Sequence, residues 1–307
     1  MKILLATDGS QCAQEAAWLL SHLPHSRKID ITVLTVVHLP PVRFSQPTKS
    51  WMSVCVGKER AFAADAFEQV ESMFQGANAE IRHLICEGSP GETIVEQARE
   101  IDADLIVVGA RGHSAVDRIL LGSTSDFVAS HADRSVLVVR PTGLRKEPDR
   151  PIYVAVAYDD SGPSQAAIEQ FSEFSWGKST QVYAISVVSY VSAFLNEVII
   201  DSADTRDAAE EALEDAVAQL KKVAPNTKGQ TVECDHIGEG VTQFAEEHQF
   251  DLIVMGDACR GVLGRFVLGS VPHYVLRHAP CSIWITRGRN VEGDKAHEQD
   301  RIASHTK

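Results

Sequence analysis

The sequence has no paired-cysteine motif, no long apolar run and a deficit of positive charge. Its six cysteines (Cys12, Cys55, Cys86, Cys234, Cys259, Cys281) stand apart, with no C-x-x-C pair. That spacing argues against a metal cluster or a secreted disulfide framework and points to reduced, structural thiols in a cytoplasmic protein. No apolar stretch nears the ~18 residues needed to cross a bilayer. The first apolar run breaks at Asp8, too soon for a signal-peptide core. Neither a membrane partner nor export is therefore expected. Lys plus Arg number 29 against 42 Asp plus Glu, a formal charge of -13. Such a chain repels a phosphate backbone at long range, so no nucleic-acid partner is expected either. One small anion held by local amides is still compatible with that charge.

Two nucleotide-binding motifs are missing as well. Without G-x-x-x-x-G-K-[ST] or G-x-G-x-x-G, neither a P-loop ATPase nor a dinucleotide-binding Rossmann site is indicated. What is present is an ordinary soluble composition, 44% hydrophobic and 23% charged, over 307 residues. At ~150 residues per domain, that length suggests two domains.

The chain repeats itself once. Asp104-Leu-Ile-Val-Val-Gly109 recurs 147 positions later as Asp251-Leu-Ile-Val-Met-Gly256. At the same offset Leu121-Gly122-Ser123 recurs as Leu268-Gly269-Ser270, His131-Ala132 as His278-Ala279, and the run Ser135–Arg140 as Ser282–Arg287. Near each start, Asp8-Gly9-Ser10 matches Asp159-Asp160-Ser161. One long period implies two duplicated domains, not a solenoid.

Each half alternates short apolar runs with helical stripes. In the first, strands are expected at 2–7, 31–37, 81–86, 105–108 and 136–139. Gly9-Ser10 offers a turn and a helix N-cap. Ala13, Ala16, Ala17, Leu20 and Leu23 share one helix face, and Phe62, Ala66, Val70 and Phe74 another. Ile94, Ala98 and Ile101 mark a third helix, and a fourth is expected near 123–130. In the second half, strands are expected at 152–157, 182–188, 232–236, 252–255 and 283–286, with a helix carrying Leu213, Ala216, Val217 and Leu220. Alternation of this kind implies parallel β-α-β units. The expected fold is α/β, two tandem doubly wound five-stranded parallel-sheet domains over 1–143 and 150–288, with a polar tail over 289–307. The Pro- and charge-rich stretch from Pro141 to Pro151 reads as a linker. The fifth strands are apolar edges that need covering, so the halves are expected to pack as an intramolecular pseudo-dimer, with a homodimer as a further option.

Open α/β sheets bind ligands beyond the carboxyl ends of their strands. Two motifs of the first half fall there: Ala6-Thr7-Asp8-Gly9-Ser10, and the loop from Gly109 through Gly112 to Gly122-Ser123, spaced G-x2-G-x9-G-[ST]. Glycines permit close backbone approach to a phosphate, and Gly122-Ser123 opens a helix whose amides favour an anion.

The strand pattern, Asp8 and this glycine spacing resemble the universal stress protein family. The resemblance covers about 280 residues as two tandem domains. It implies an adenine-nucleotide fold akin to the adenine-nucleotide alpha-hydrolase-like group, with ATP as ligand and Mg2+ as its common companion, though no carboxylate cage for a metal is visible. Carried over by motif, the ligand residues are Ala6, Thr7, Asp8, Val36, Gly109, Arg111, Gly112, Gly122, Ser123 and Thr124. Their counterparts are Ala157, Tyr158, Asp159, Val187, Gly256, Gly269, Ser270 and Val271. No catalytic residue is indicated.

The second half departs from the pattern. Tyr158 stands where Thr7 does, Cys259 replaces the second loop glycine, and Asp257 is expected to add negative charge beside the phosphate cradle. Gly261 would compensate if the loop rerouted. The second site is accordingly expected to be the weaker. Arg111, His113, Arg118, Arg260 and Arg265 either screen phosphate or form a solvated loop face, and His38 ends strand two near the expected base. A nucleotide-binding stress or signalling protein is the leading reading. A slow ATP hydrolase or nucleotidyl-transferring enzyme competes with it, as does a non-binding structural pseudo-dimer.

Overall fold

A computed structural model describes residues 1–37, 49–112, 121–189, 202–257 and 268–288, with backbone alone for 49–56 and 202–205. Cys259, Gly261, His38, His113, Arg118, Arg260, Arg265 and the expected tail lie outside the described residues.

The first half runs β1 (Lys2–Ala6), α1 (Gln11–His22), β2 (Ile29–Val37), α2 (Lys49–Met73), β3 (Ala79–Glu87), α3 (Pro90–Glu100), β4 (Leu105–Gly109), α4 (Ser123–His131) and β5 (Ser135–Val139). The second runs β6 (Tyr153–Ala157), α5 (Gly162–Phe171), β7 (Gln181–Val188), α6 (Ser202–Leu220), β8 (Lys228–Glu233), α7 (Ile237–Glu247), β9 (Leu252–Gly256), α8 (Ser270–His278) and β10 (Ser282–Thr286). One ten-stranded sheet results, ordered β3-β2-β1-β4-β5-β10-β9-β6-β7-β8. Every neighbouring pair is parallel except β5–β10, where Ile283 faces Val138, Trp284 faces Leu137 and Ile285 faces Val136 in antiparallel register. The fold is thus two tandem α/β units in a mostly parallel sheet.

The central strands bury both faces, so they are short and almost wholly apolar. Ile3, Leu4, Leu5, Leu105, Ile106 and Val107 are completely inaccessible. Helices cover both sides and divide the core in two, one cluster around Ile3, Leu20 and Val139, the other around Leu4, Ala98 and Val138. Helix starts follow their caps. The Ser10 hydroxyl accepts the Ala13 N–H, and Ser161 forms a reciprocal capping box with Ser164, with Pro163 in the first turn. Each half also ties its first strand to its fourth with an aspartate. Asp104 accepts the Lys2 N–H at 2.7 Å, and Asp251 accepts the Tyr153 N–H at 3.0 Å.

Two sequence expectations fail. The third strand of the second half is Lys228–Glu233, not 232–236, and His236 instead caps α7, its Nδ1 accepting the Glu239 N–H. This strand lies at the sheet's outer edge and is largely exposed, so backbone pairing with β7 sets its position without an apolar pattern. Phe62 is 45% exposed, off the buried stripe that holds Ala66, Val70 and Phe74. Its ring lies over Gly9, where any side chain would place its Cβ 2.7 Å from Phe62 Cζ.

Candidate functional site

The first half's strand order places a topological switch between β1 and β4, whose crossovers leave in opposite directions. A cleft of about 250 Å³ opens there. All ten ligand residues expected in this half line it: Ala6, Thr7, Asp8, Val36, Gly109, Arg111, Gly112, Gly122, Ser123 and Thr124. Tertiary packing adds Ala13, Leu34, Pro90, Ile94, Val108 and Ser125. Ile94 and Leu34 read from the sequence as ordinary core positions. Only their place on elements flanking the switch point marks them.

Each wall has a local cause. Asp8 folds back on its own turn, Oδ1 accepting the Ser10 N–H at 3.0 Å. Gly9 between them has φ of +72°, a left-handed angle natural to glycine. The Asp8 carboxylate meets the loop at Gly112, where a Cβ would stand 2.5 Å from Oδ2. At Gly109 a Cβ would meet the α1 backbone at Cys12, 2.7 Å away. These glycines let the loop close on β1 and α1. Gly122 donates its N–H to the Ala110 carbonyl at 2.8 Å, and Ser125 Oγ donates to the same oxygen at 2.8 Å. Gly122 is the N-cap of α4 and supplies no side-chain cap, while Ser123 and Thr124 begin the helix at the cleft. The Ser10 hydroxyl reaches the Arg111 carbonyl at 3.4 Å, joining the two motifs.

The counterparts occupy matching places in the second half. Ala157 ends β6, Val187 lies in β7, Gly256 ends β9, and Gly269, Ser270 and Val271 open α8. Gly256 packs so closely on α5 that a Cβ there would strike the Pro163 carbonyl oxygen. Asp159 repeats the Asp8 turn, Oδ1 accepting the Ser161 N–H at 3.2 Å. Asp160 replaces Gly9 and takes the same left-handed backbone, with φ of +58°. The Tyr158 ring is buried and its hydroxyl donates to Asp160 at 3.0 Å. Burial, with the Asp160 bond behind it, pushes the phenol up to about 12.

Asp257 corrects an expectation. It does not face a ligand as free negative charge but is 5% exposed and paired with Arg287, Oδ2 lying 3.1 Å from Nε and 3.0 Å from Nη2. Its Oδ1 accepts the Gly269 N–H at 3.2 Å. The sequence shows Asp257 one residue past β9. It does not show that the side chain turns inward, because Arg287 is thirty positions away in the chain.

Among the described residues no three or more His, Cys, Asp or Glu form a metal-holding group, and no helix is long and apolar enough to cross a membrane. Cys12, Cys86, Cys234 and Cys281 are free thiols. Burial pushes the Cys281 thiol up to about 12 and raises that of Cys86, the opposite of what a nucleophile needs.

Fold and cleft together define a class: a duplicated, doubly wound α/β protein with a cleft at the switch point of its first unit. A family model described as the universal stress protein family matches residues 1–140 and 153–287, and the chain belongs to that family. A universal stress protein of Methanocaldococcus jannaschii is 33% identical over 140 residues, 45% of this chain and 81% of its own length. The crystal structure of a universal stress protein from Archaeoglobus fulgidus superposes with a TM-score of 0.64 at 20% identity, covering 93% of this chain and 98% of that one. A functionally unknown protein from Pseudomonas aeruginosa superposes at 0.59 with 13% identity, over 99% and 97% of the two chains. At these identities the two structures bear on the fold alone.

Proposed function

We propose that the first half binds an adenine nucleotide, ATP, and that occupancy biases conformation or partner binding in a cytoplasmic stress-response or signalling role. The observation that carries this reading is the cleft itself. A strand-end carboxylate, Asp8, faces a glycine loop there, and the loop ends on a helix N-terminus that no side chain caps. Leu34, Val36 and Ile94 give one wall the apolar character that suits a base. Gly122, Ser123 and Thr124 give the other the backbone amides and hydroxyls that suit phosphates. For Mg2+ as a companion of the nucleotide, the described residues offer no group of three or more His, Cys, Asp or Glu that would hold it.

The units 1–143 and 150–288 act in this reading as an intramolecular pseudo-dimer, supported by the β5–β10 pairing. The second half serves mainly as packing partner and as the weaker site. A hydrolase would need a positioned base and a phosphate clamp rich in positive charge. Neither stands out among the cleft-lining residues, so binding is favoured over turnover.

Mass spectrometry of small molecules released from protein purified without added ligand tests the reading, together with calorimetric titration of ATP. Release of an adenine nucleotide and one tight site per chain are expected. No nucleotide and no heat of binding would overturn it. Turnover abolished in Asp8→Ala but brisk in the wild type would favour the hydrolase.

A further inference from the structure

Behind the cleft loop lies a charge that the proposed function does not use. Arg140 follows β5 and is 7% exposed. Its Nη2 donates to the Leu276 carbonyl at 2.8 Å, its Nε has no hydrogen-bond partner, and no carboxylate pairs with it among the described residues. Ala110 sits between the cleft-lining residues Gly109 and Arg111 and donates its N–H to the Val139 carbonyl, one residue before Arg140.

The second half repeats this arrangement with different chemistry. At the repeat offset Arg287 matches Arg140, Asp257 matches Ala110, and Ala129 matches Leu276. Arg287 Nη2 donates to the Ala129 carbonyl at 2.6 Å, as Arg140 does to Leu276, and Asp257 N–H donates to the Thr286 carbonyl at 2.9 Å. There the guanidinium is neutralised, because the Asp257 carboxylate bridges it to the Gly269 N–H, the first amide of the second anion cradle. In the first half no side chain among the described residues does this, and the Gly122 N–H turns to the Ala110 carbonyl instead. Burying a guanidinium without a counter-charge is costly, and burial does push Arg140 below its ordinary value, with the neighbouring charge of Arg111 acting the same way.

We infer that Arg140 is a positioning residue whose charge is left for a bound anion to balance, and that Asp257 is the second half's built-in substitute for that anion. The first cleft then selects phosphate-bearing ligands over uncharged ones, and the second is closed to them by its own carboxylate. The identity of the ligand as a nucleotide rests on the reading above, whereas the demand for an anion rests on the charges.

The test is Ala110→Asp in the full chain, which gives the first half the carboxylate that the second already accommodates. Ala110→Asn is the neutral control of equal size. Inorganic triphosphate, ATP and adenosine are the probes, read by calorimetry and by thermal stabilisation. Ala110→Asp should raise the melting temperature without ligand, because it pairs Arg140. It should weaken triphosphate and ATP by at least about tenfold, the scale of one lost charge-assisted interaction, and leave adenosine unchanged. Ala110→Asn should hold triphosphate affinity to within about twofold. Equal losses in both variants, or unchanged triphosphate affinity in Ala110→Asp, would overturn the role of Arg140. A wild-type protein that binds triphosphate but is indifferent to the adenosine moiety would overturn the nucleotide reading and still support Arg140.

Discussion

The first half meets its buried arginine with an alanine, the second with an aspartate, on otherwise matching frames. Around that difference the junction is nearly symmetric. Ser282 Oγ accepts the Arg140 N–H at 3.1 Å, and Ser135 Oγ accepts the Arg287 N–H at 2.9 Å. The serine caps of the first helix in each half, Ser10 and Ser161, and the first-to-fourth-strand ties are preserved too. At the strand ends and loops, Asp8/Asp159, Gly109/Gly256, Gly122/Gly269 and Ser123/Ser270 kept their identity after duplication, while Ala110 against Asp257 diverged. Gly9 against Asp160 and Thr7 against Tyr158 are further cases: the Gly9 N–H donates to Thr7 Oγ1 in the first half, and the Tyr158 hydroxyl donates to Asp160 in the second.

The largest effect expected from this contrast is on stability. Asp257→Ala leaves Arg287, 3% exposed, without its partner. Removing one member of a buried ion pair costs about 3–5 kcal/mol. Denaturant unfolding should therefore show a marked loss for Asp257→Ala and none for Ala110→Asp. A loss below about 0.5 kcal/mol, within the range of ordinary surface substitutions, would mean that the pair is dispensable. Replacing Asp257 and Cys259 together frees the Gly269 amide but strands Arg287, so any gain in affinity would come with a weakened fold.

Ligand binding should separate the halves next. Asp8→Ala is expected to weaken ATP by roughly ten- to a hundredfold, the loss of about 1.5–3 kcal/mol from one charge-assisted bond. Asp159→Ala should change total binding far less. Gly112→Val should match Asp8→Ala, since its Cβ collides with the Asp8 carboxylate itself. Calorimetry giving unchanged affinity in both folded first-half variants would remove the site, and two equivalent sites in the wild type would remove the asymmetry.

A smaller contrast lies in the ties between strands. Arg150 grips the buried Asp251 at 2.6 and 3.0 Å, and the Asp251 bond is the main reason its guanidinium is held above its ordinary value. Arg150→Ala should cost about 1–3 kcal/mol, the penalty of an under-satisfied buried acceptor, and should loosen the second half preferentially. Hydrogen exchange comparing β6–β9 with β1–β4 reads this directly, and equal loosening of both would refute it.

The smallest expected effect is a response to acid confined to the first half. His83 of β3 lies beside Thr35 at 3.1 Å and stacks on Phe67, and burial pushes its imidazole below the usual 6.5. The folded state therefore favours the neutral ring. That contribution is present above pH ~6.5 and is lost as the pH falls toward the lowered folded value. The register places Gly229 at the corresponding point of β8, with nothing to titrate. Exchange protection measured at pH 7 and pH 5 should fall slightly more in β2–β3 than in β7–β8, an effect His83→Gln should remove.

The duplication, the alternation of strand and helix, and ten of the sixteen residues lining the first cleft were legible in the order of residues. Those features are local or periodic: buried parallel strands must be apolar throughout, helix starts need caps, and a loop that closes on Asp8 needs glycine at position 112. Pattern misplaced β8 and Phe62 because an edge strand and an overhanging ring are set by neighbours. Where the charges at the centre go is a matter of three-dimensional packing alone. Arg140 and Arg287 end matching apolar runs, and nothing local distinguishes them. Their difference arises where β5 and β10 cross the junction, because a guanidinium's state depends on which groups, distant in the chain, share its buried space.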